Sequence, residues 1–343
     1  MKLIELINDN SKCSCQLCNK EEAVQTNSHI IPNFLVSKYV SYNPKIKRDS
    51  EVLFYMKPYN SNFYLGRSVP EDKIDRLFDS KEIQEANVTK ERMQNPFTVD
   101  YLLCRNCEEK LSTYLETPYS GNANKKAKKD PFLPYMFWIS VVWRLSVTKL
   151  FGFRLPRAIE DMLQVAINKY FEIKGNDLEK ETSLTGIPFF YRIIEKDNNV
   201  VEAAVFYAEF ENNILTMTLG NIIVCISFYN QDLYSGYKYY GIEDEFINAP
   251  INCGDCLEQI NSIEESKFKN HLNHLAMKIM TQKLIEGKEI ADYCWNYMTN
   301  SKKMPDTVFV DLIKKLRKMK PGDMLSEENL VDAINWVGKK HIK

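Results

Sequence analysis

Cys15-Gln16-Leu17-Cys18 and Cys104-Arg105-Asn106-Cys107 decide how this chain is read. Each is a C-x₂-C pair, and two residues between thiols let one tight turn aim both sulfurs at a single ion. Two such knuckles complete a tetrahedral Cys₄ site for a structural Zn²⁺. The stretch between them is longer than a zinc ribbon holds, so an inserted segment must loop out. The alternative is four unpaired core cysteines. Against it, both knuckles carry polar residues inside them, and free thiols rarely cluster at this spacing. Cys13, just ahead of Cys15, is a spectator or a substitute ligand.

Around these pairs the bulk composition sets limits. A chain of 343 residues has room for about two domains. Hydrophobic residues make up 44% and charged residues 27%, the balance of an ordinary globular protein that can bury a core. The formal net charge of −1 argues against a dedicated nucleic-acid coat, which would be strongly basic, and leaves room for a local basic groove. The opening residues, MKLIELINDNSK, lack the apolar run and cleavage site of a signal peptide. The most apolar stretch, Phe132 to Phe153, contains Pro134, Arg144 and Lys149, and its internal cations make it a core helix rather than a membrane span. The expected setting is cytoplasmic with no membrane partner. There the nine cysteines stay reduced, and paired ones read as metal ligands rather than disulfides.

Local pattern then divides the chain. Residues 33–98 alternate apolar patches with Pro, Asn and Ser and show no strong period. Leu111, Tyr114 and Leu115 fall at helical spacing, which predicts a short amphipathic helix from Glu108 to Leu115. Asn122 to Asp130 is polar and basic and reads as a linker. Beyond it, Phe132–Leu150 and Arg157–Ile173 read as helices, the second ending near Gly175. Residues 187–229 switch to runs of β-branched and aromatic residues separated by the turn signals DNN, ENN and GN, which predicts an antiparallel meander of four strands. From Ser262 the chain is helical again, with Pro321-Gly322 separating helices at Asp306–Lys320 and Ser326–Lys340. The expected fold class is therefore α+β. A zinc-stapled domain with an insertion occupies residues 1–130, and an α+β domain with an antiparallel β-meander occupies 131–343.

Between the knuckles lies Asn27-Ser28-His29-Ile30-Ile31-Pro32. A first C-x₂-C, then His-Ile-Ile-Pro, then a second C-x₂-C entering a helix resembles the HNH (His-Me finger) endonuclease superfamily. With Leu102-Leu103-Cys104 and Cys107-Glu108, the chain also looks like a group of bacterial proteins that pair this zinc module with a separate C-terminal domain. The resemblance covers roughly residues 13–116 and does not reach 131–343. It implies that the N-terminal domain is a zinc-stapled ββα module with an insertion, a β-hairpin and a helix around one catalytic metal, and that His29 is a general base that activates water. It places Ser28 where a metal-binding Asp is expected and Glu108 where a metal-binding His is expected, with Asp100 replacing the family's Asn. A histidine near its ordinary pKa suits proton abstraction at neutral pH, and Glu108 is an acceptable oxygen ligand for Mg²⁺ or Mn²⁺. Read structurally instead, His29 is a buttress of the zinc knuckle.

Other residues invite weaker readings. Cys253 and Cys256 followed by His271 and His274 resemble a C-x₂-C…H-x₂-H zinc arrangement, although a turn beside a helix with surface histidines explains them more simply. Cys225 and Cys294 read as packing residues. Lys125, Lys126, Lys128 and Lys129, and separately Lys314, Lys315, Arg317, Lys318 and Lys320, are basic runs that could touch phosphates or simply be solvated. Arg144 sits inside an apolar helix and needs a partner that the sequence does not name. There is no Gly-rich phosphate loop and no Gly-x-Ser-x-Gly elbow.

These expectations combine into one reading. The chain is a DNA endonuclease of HNH type, with structural Zn²⁺ and a catalytic Mg²⁺ or Mn²⁺, in restriction or anti-phage defence. Its C-terminal domain would be a sensor or specificity module that supports a homo-oligomer or holds a partner protein. The alternative is a non-catalytic, degenerate HNH-like zinc module that binds nucleic acid or protein.

Overall fold

The computed structural model describes residues 13–40, 52–56, 61–65, 97–122, 132–175, 188–197, 205–228, 240–254, 257–300, 303–318 and 327–342. By its internal packing the chain divides into two compact units, Met1–Tyr39 with Pro96–Lys269, and Val40–Asn95 with Asn270–Lys343. The class is mixed α+β, with helices and a five-stranded mixed sheet.

In the first unit, β1 (Ser28–His29) is followed by α1 (Asn33–Val40). In the second unit, β2 (Val52–Met56) and β3 (Ser61–Leu65) pair as an antiparallel hairpin. Back in the first unit, β4 (Thr98–Val99) pairs antiparallel with β1 in the register Ser28↔Val99 and His29↔Thr98. The chain on the two sides of the insertion therefore closes on itself beside the knuckles. α2 (Arg105–Leu111) follows, running into a π turn at Ser112–Glu116 and then α3 (Thr117–Asn122). The helix expected at Glu108–Leu115 thus begins three residues earlier, at Cys107's own knuckle, and loosens at Ser112.

α4 (Phe132–Thr148) is buried along Phe132–Ser146, which is why its sequence is apolar all round. α5 (Arg157–Gly175) is amphipathic and buries Ile159, Leu163, Ala166, Ile167 and Tyr170, spaced three and four apart, on one face. The expected linker at Asn122–Asp130 lies, beyond Asn122, outside the described residues.

All four predicted strands form as β5 (Phe189–Lys196), β6 (Phe206–Glu211), β7 (Ile214–Leu219) and β8 (Ile222–Phe228). After α6 (Glu243–Asn248), β9 (Ile260–Ile263) joins them, and the sheet order is β6-β7-β8-β5-β9. A four-strand meander is therefore not what the chain builds. Only β6-β7-β8 meander; β5 pairs antiparallel with β8, and β9 lies parallel to β5. The hairpin turns follow from residue chemistry. Asn212 and Asn213 both take positive φ, 52° and 63°, as a type I′ loop requires, and Gly220 takes 64° in the next loop. The pairing of β5 with β8 and β9 instead of β6 is a long-range choice that no local turn signal encodes.

In the second unit, α7 (Glu265–Thr299, whose first residues belong to the first unit), α8 (Asp306–Leu316) and α9 (Glu327–His341) enclose a small core. Val308, Leu312 and Leu316 of α8 meet Leu330, Ala333, Ile334 and Val337 of α9, together with Ala291 and Trp295 of α7. The expected Pro321-Gly322 turn lies outside the described residues. Among the described residues no helix is long and apolar enough to cross a membrane.

Candidate metal centre

The first knuckle is a small hairpin. Cys15 N–H donates to Glu21 O at 2.8 Å, Ala23 N–H donates to Cys13 O at 2.8 Å, and Ser14 bridges Glu22. Asn19, at φ 56°, closes the turn after Cys18, its N–H bonding Cys15 O at 2.9 Å. Asparagine tolerates this left-handed geometry better than most residues. The second knuckle opens α2, where the Cys104 Sγ caps the helix by accepting the Cys107 N–H at 3.4 Å. Backbone bonds tie the two halves together, Gln16 N–H to Leu102 O at 3.0 Å and Gln25 N–H to Leu103 O at 3.1 Å. Asn106 also donates to the Glu21 carboxylate at 3.2 Å.

The result is convergence of sulfur atoms from distant sequence. The ligand atoms of Cys15, Cys18, Cys104 and Cys107 all lie within 4.8 Å of one another. The Sγ atoms of Cys18 and Cys104 are 3.9 Å apart. A metal–sulfur bond of about 2.3 Å puts the corners of a tetrahedron about 3.8 Å apart, so this spacing is what a shared ion needs. Soft thiolates in a tetrahedron suit a structural metal such as zinc.

Electrostatics argue the same way. The Cys15 thiol is pulled down to about 4, chiefly by its hydrogen bond with Cys107; burial opposes this, and nearby backbone N–H groups reinforce it. Cys104 is pushed up to about 12, first by burial. Cys107 is also pushed up, by its hydrogen bond with Cys15 and by burial. One thiolate is comfortable here and four are not, unless a cation sits among them.

α5 supports the first knuckle. Gln164 Nε2 donates to the Leu17 carbonyl at 3.0 Å and Asn168 Nδ2 to the same oxygen at 2.8 Å. A sequence reading misses both, because a Gln and an Asn on a half-buried helix look like ordinary surface residues.

The other predicted site residues lie on β1, just after β4 and in the first turn of α2. His29 is half-buried on β1, facing Thr98 across the ladder. Asp100 follows β4, and its Oδ1 accepts the N–H of Asn27 at 2.7 Å, holding Asn27 at φ 56°. Ser28 is 1% exposed, and its Oγ has no hydrogen-bond partner among the described residues, so the position does not present a side chain to an open site. Glu108 is half-buried in the first turn of α2. His29, Asp100 and Glu108 form no convergent group of three metal donors; among the described residues the cysteine tetrad is the group that does.

Arg144 finds its partner in this region. It is 2% exposed, and its Nη1 donates to Glu116 Oε1 at 2.6 Å and to the His29 carbonyl at 2.8 Å. The π turn that ends at Glu116 is the local device that brings this carboxylate within reach.

Of the remaining candidates, Cys256 lies outside the described residues. His271 is buried, and His274 is exposed with its Nδ1 3.0 Å from Asn270 O. Lys125, Lys126, Lys128, Lys129 and Lys320 also lie outside them. Cys225 is buried on β8 with the Thr216 hydroxyl 3.8 Å from its sulfur, a packing residue as expected.

A second polar cluster had no sequence signal. Glu258 accepts from Trp138 Nε1 at 3.0 Å, Tyr191 OH at 3.1 Å and Tyr119 OH at 3.1 Å. Burial pushes its carboxyl up, against the pull of the three donors.

Fold and site together define an α+β protein with a cysteine tetrad able to hold a metal ion. No protein-family model, no curated protein and no solved structure matches the chain.

Proposed function

We propose that this chain is a metal-dependent DNA phosphodiesterase of HNH type, with zinc on Cys15, Cys18, Cys104 and Cys107 as its structural ion. The observation that supports this is the order β1–β4–α2: two antiparallel strands and a helix, held at the knuckles, with His29 on the first strand. In this reading His29 takes a proton from the attacking water. A Mg²⁺ or Mn²⁺ ion would supply charge neutralisation at the scissile phosphate, near Glu108 and Asp100. Such an ion can make do with one or two carboxylates plus water and phosphate oxygens. The chain would act in the cytoplasm, in restriction or anti-phage defence.

One observation favours the non-catalytic alternative. Asp100 is engaged by the Asn27 N–H and Ser28 is buried, so two positions of the expected ligand set serve the fold. A plasmid-cleavage assay with Mg²⁺ and Mn²⁺, comparing wild type with His29→Ala at matched zinc content, separates the two. Cleavage lost in His29→Ala supports hydrolysis. A wild type without cleavage, or a His29→Ala chain that loses zinc, assigns the module a binding role.

A further inference from the structure

The α8–α9 pair surrounds one exposed indole with cations. Trp336 is 40% exposed, whereas Trp138, Trp143 and Trp295 are 1%, 1% and 6% exposed. Its neighbours on α9, Ala333, Ile334 and Val337, turn into the core, so the fold does not use Trp336 as a core residue. The Nζ atoms of Lys315 and Lys340 lie 5.7 Å and 5.3 Å from its ring centroid. Arg317 and Lys318, in the turn just past α8, and Lys339 on α9 are exposed and make no ion pair among the described residues.

Counting Arg317 and Lys318 just past α8, six lysines and arginines stand against five carboxylates here, Asp306, Asp311, Glu327, Glu328 and Asp332, and some of these are spent. Asp311 takes Lys340 at 2.6 Å, His341 at 3.0 Å and Lys314 at 3.9 Å, while Asp332 is exposed and Asp306 lies 3.8 Å from Lys288. The cations gather at the C-terminal ends, Lys314 to Lys318 and Lys339-Lys340, on the half of α9 that carries Trp336, while Glu327 and Glu328 open α9 at its other end, on a chain whose formal net charge is −1.

We infer that this α8–α9 surface binds single-stranded nucleic acid, with Lys315, Lys318 and Lys339 on backbone phosphates and Trp336 stacked on a base. The chemistry fits two needs at once. Phosphates release counterions when lysines replace them, and an unpaired base offers a π face to an indole. As a base takes the ring, an ammonium now resting on the indole turns to the adjacent phosphate; the side chain is long and solvated enough to do so. A duplex hides its base faces and leaves Trp336 without a partner. A membrane surface would ask for a wide apolar face, and the apolar faces of α8 and α9 are already buried against each other. The inference does not rest on the hydrolytic reading, because it concerns a different surface and no cleavage step.

The test uses the full chain carrying His29→Ala, without added divalent metal, so that hydrolysis plays no part. Anisotropy of a fluorescein-labelled single-stranded DNA oligonucleotide is measured over a salt series. Binding should quench the intrinsic tryptophan fluorescence. Trp336→Ala should remove the quench and weaken binding roughly five- to hundredfold. Lys315→Gln with Lys318→Gln should weaken binding and lower the slope of log K against log salt by roughly 0.7 per lysine removed. Trp336→Phe, which keeps an aromatic face, should bind better than Trp336→Ala and guards against a folding defect. The inference is overturned by absence of binding at low salt, or by variants that keep wild-type affinity and slope. Tighter binding to duplex DNA or to anionic phospholipid vesicles than to the single strand overturns it as well.

Discussion

Arg144 Nη1 donates a 2.8 Å hydrogen bond to the carbonyl oxygen of His29, from the middle of a helix whose side chains are buried from Phe132 to Ser146. The same nitrogen holds Glu116 at 2.6 Å, and the Arg144 Nε donates to Ser140 O at 3.2 Å. One guanidinium thus ties the core helix α4 to the π turn and to the strand that carries the candidate base. Arg144→Met takes this donor away from the Glu116 carboxylate, 23% exposed, and from the His29 carbonyl. Removing one partner of a buried pair costs ~3–5 kcal/mol, so the urea midpoint should fall clearly. Glu116→Gln should cost less, because its side chain still reaches water. Equal stability of wild type and Arg144→Met shows the pair to be ornamental.

For the metal centre, the purified chain should hold one tightly bound zinc per polypeptide, read by elemental analysis. Cys104→Ser removes a thiolate ligand while its hydroxyl can still cap α2, so the loss reads the metal alone. It should lower zinc content and melt the first unit, because metal affinity there is folding free energy. Acid should release the ion as protons compete for the thiolates. A stoichiometric zinc content in Cys104→Ser refutes the assignment.

At Ser28 the burial sets the expectation. Ser28→Ala deletes a hydroxyl that has no hydrogen-bond partner among the described residues and should be neutral within ~1 kcal/mol. Ser28→Asp would put a carboxylate where the side chain is 1% exposed, so the melting temperature should fall. A Ser28→Asp chain that keeps its stability and binds Mg²⁺ more tightly would show that the position opens to the site after all.

Glu258 makes the fold sensitive to alkali. Burial raises its pKa in the folded chain above the ordinary carboxyl value of about 4.3. Its stabilising contribution is therefore complete below the unfolded value and is lost as pH rises through the folded one. Glu258→Gln keeps a neutral acceptor for Trp138 and Tyr191 and should flatten that loss. Melting curves of both chains at about pH 5 and about pH 8 check it, and parallel pH profiles would refute it.

His29→Ala tests the hydrolytic proposal directly. Loss of a general base typically slows a reaction by ~10²–10⁴, well within reach of a plasmid assay. Zinc content and melting temperature should stay unchanged, because the sulfurs and not the imidazole hold the knuckles.

By itself the sequence determined the local units of this protein. The C-x₂-C spacing marked the four sulfurs, the apolar run marked α4 as core, and Asn212-Asn213 marked a hairpin turn, because each depends on residues a few positions apart. The need of Arg144 for a partner was legible as well, since a buried cation must be compensated. Tertiary structure alone decided the rest. It chose Glu116 and the His29 carbonyl for Arg144, brought Gln164 and Asn168 onto the Leu17 carbonyl, gathered three aromatic donors around Glu258, and paired β5 with β8 and β9. It also buried Ser28 and tied one oxygen of Asp100 to a backbone N–H. The physical reason is the same throughout. A turn or a knuckle is closed by short-range sterics and written in adjacent residues. A buried polar group is satisfied by whichever partner the packed chain delivers, and that partner is set by the whole core at once.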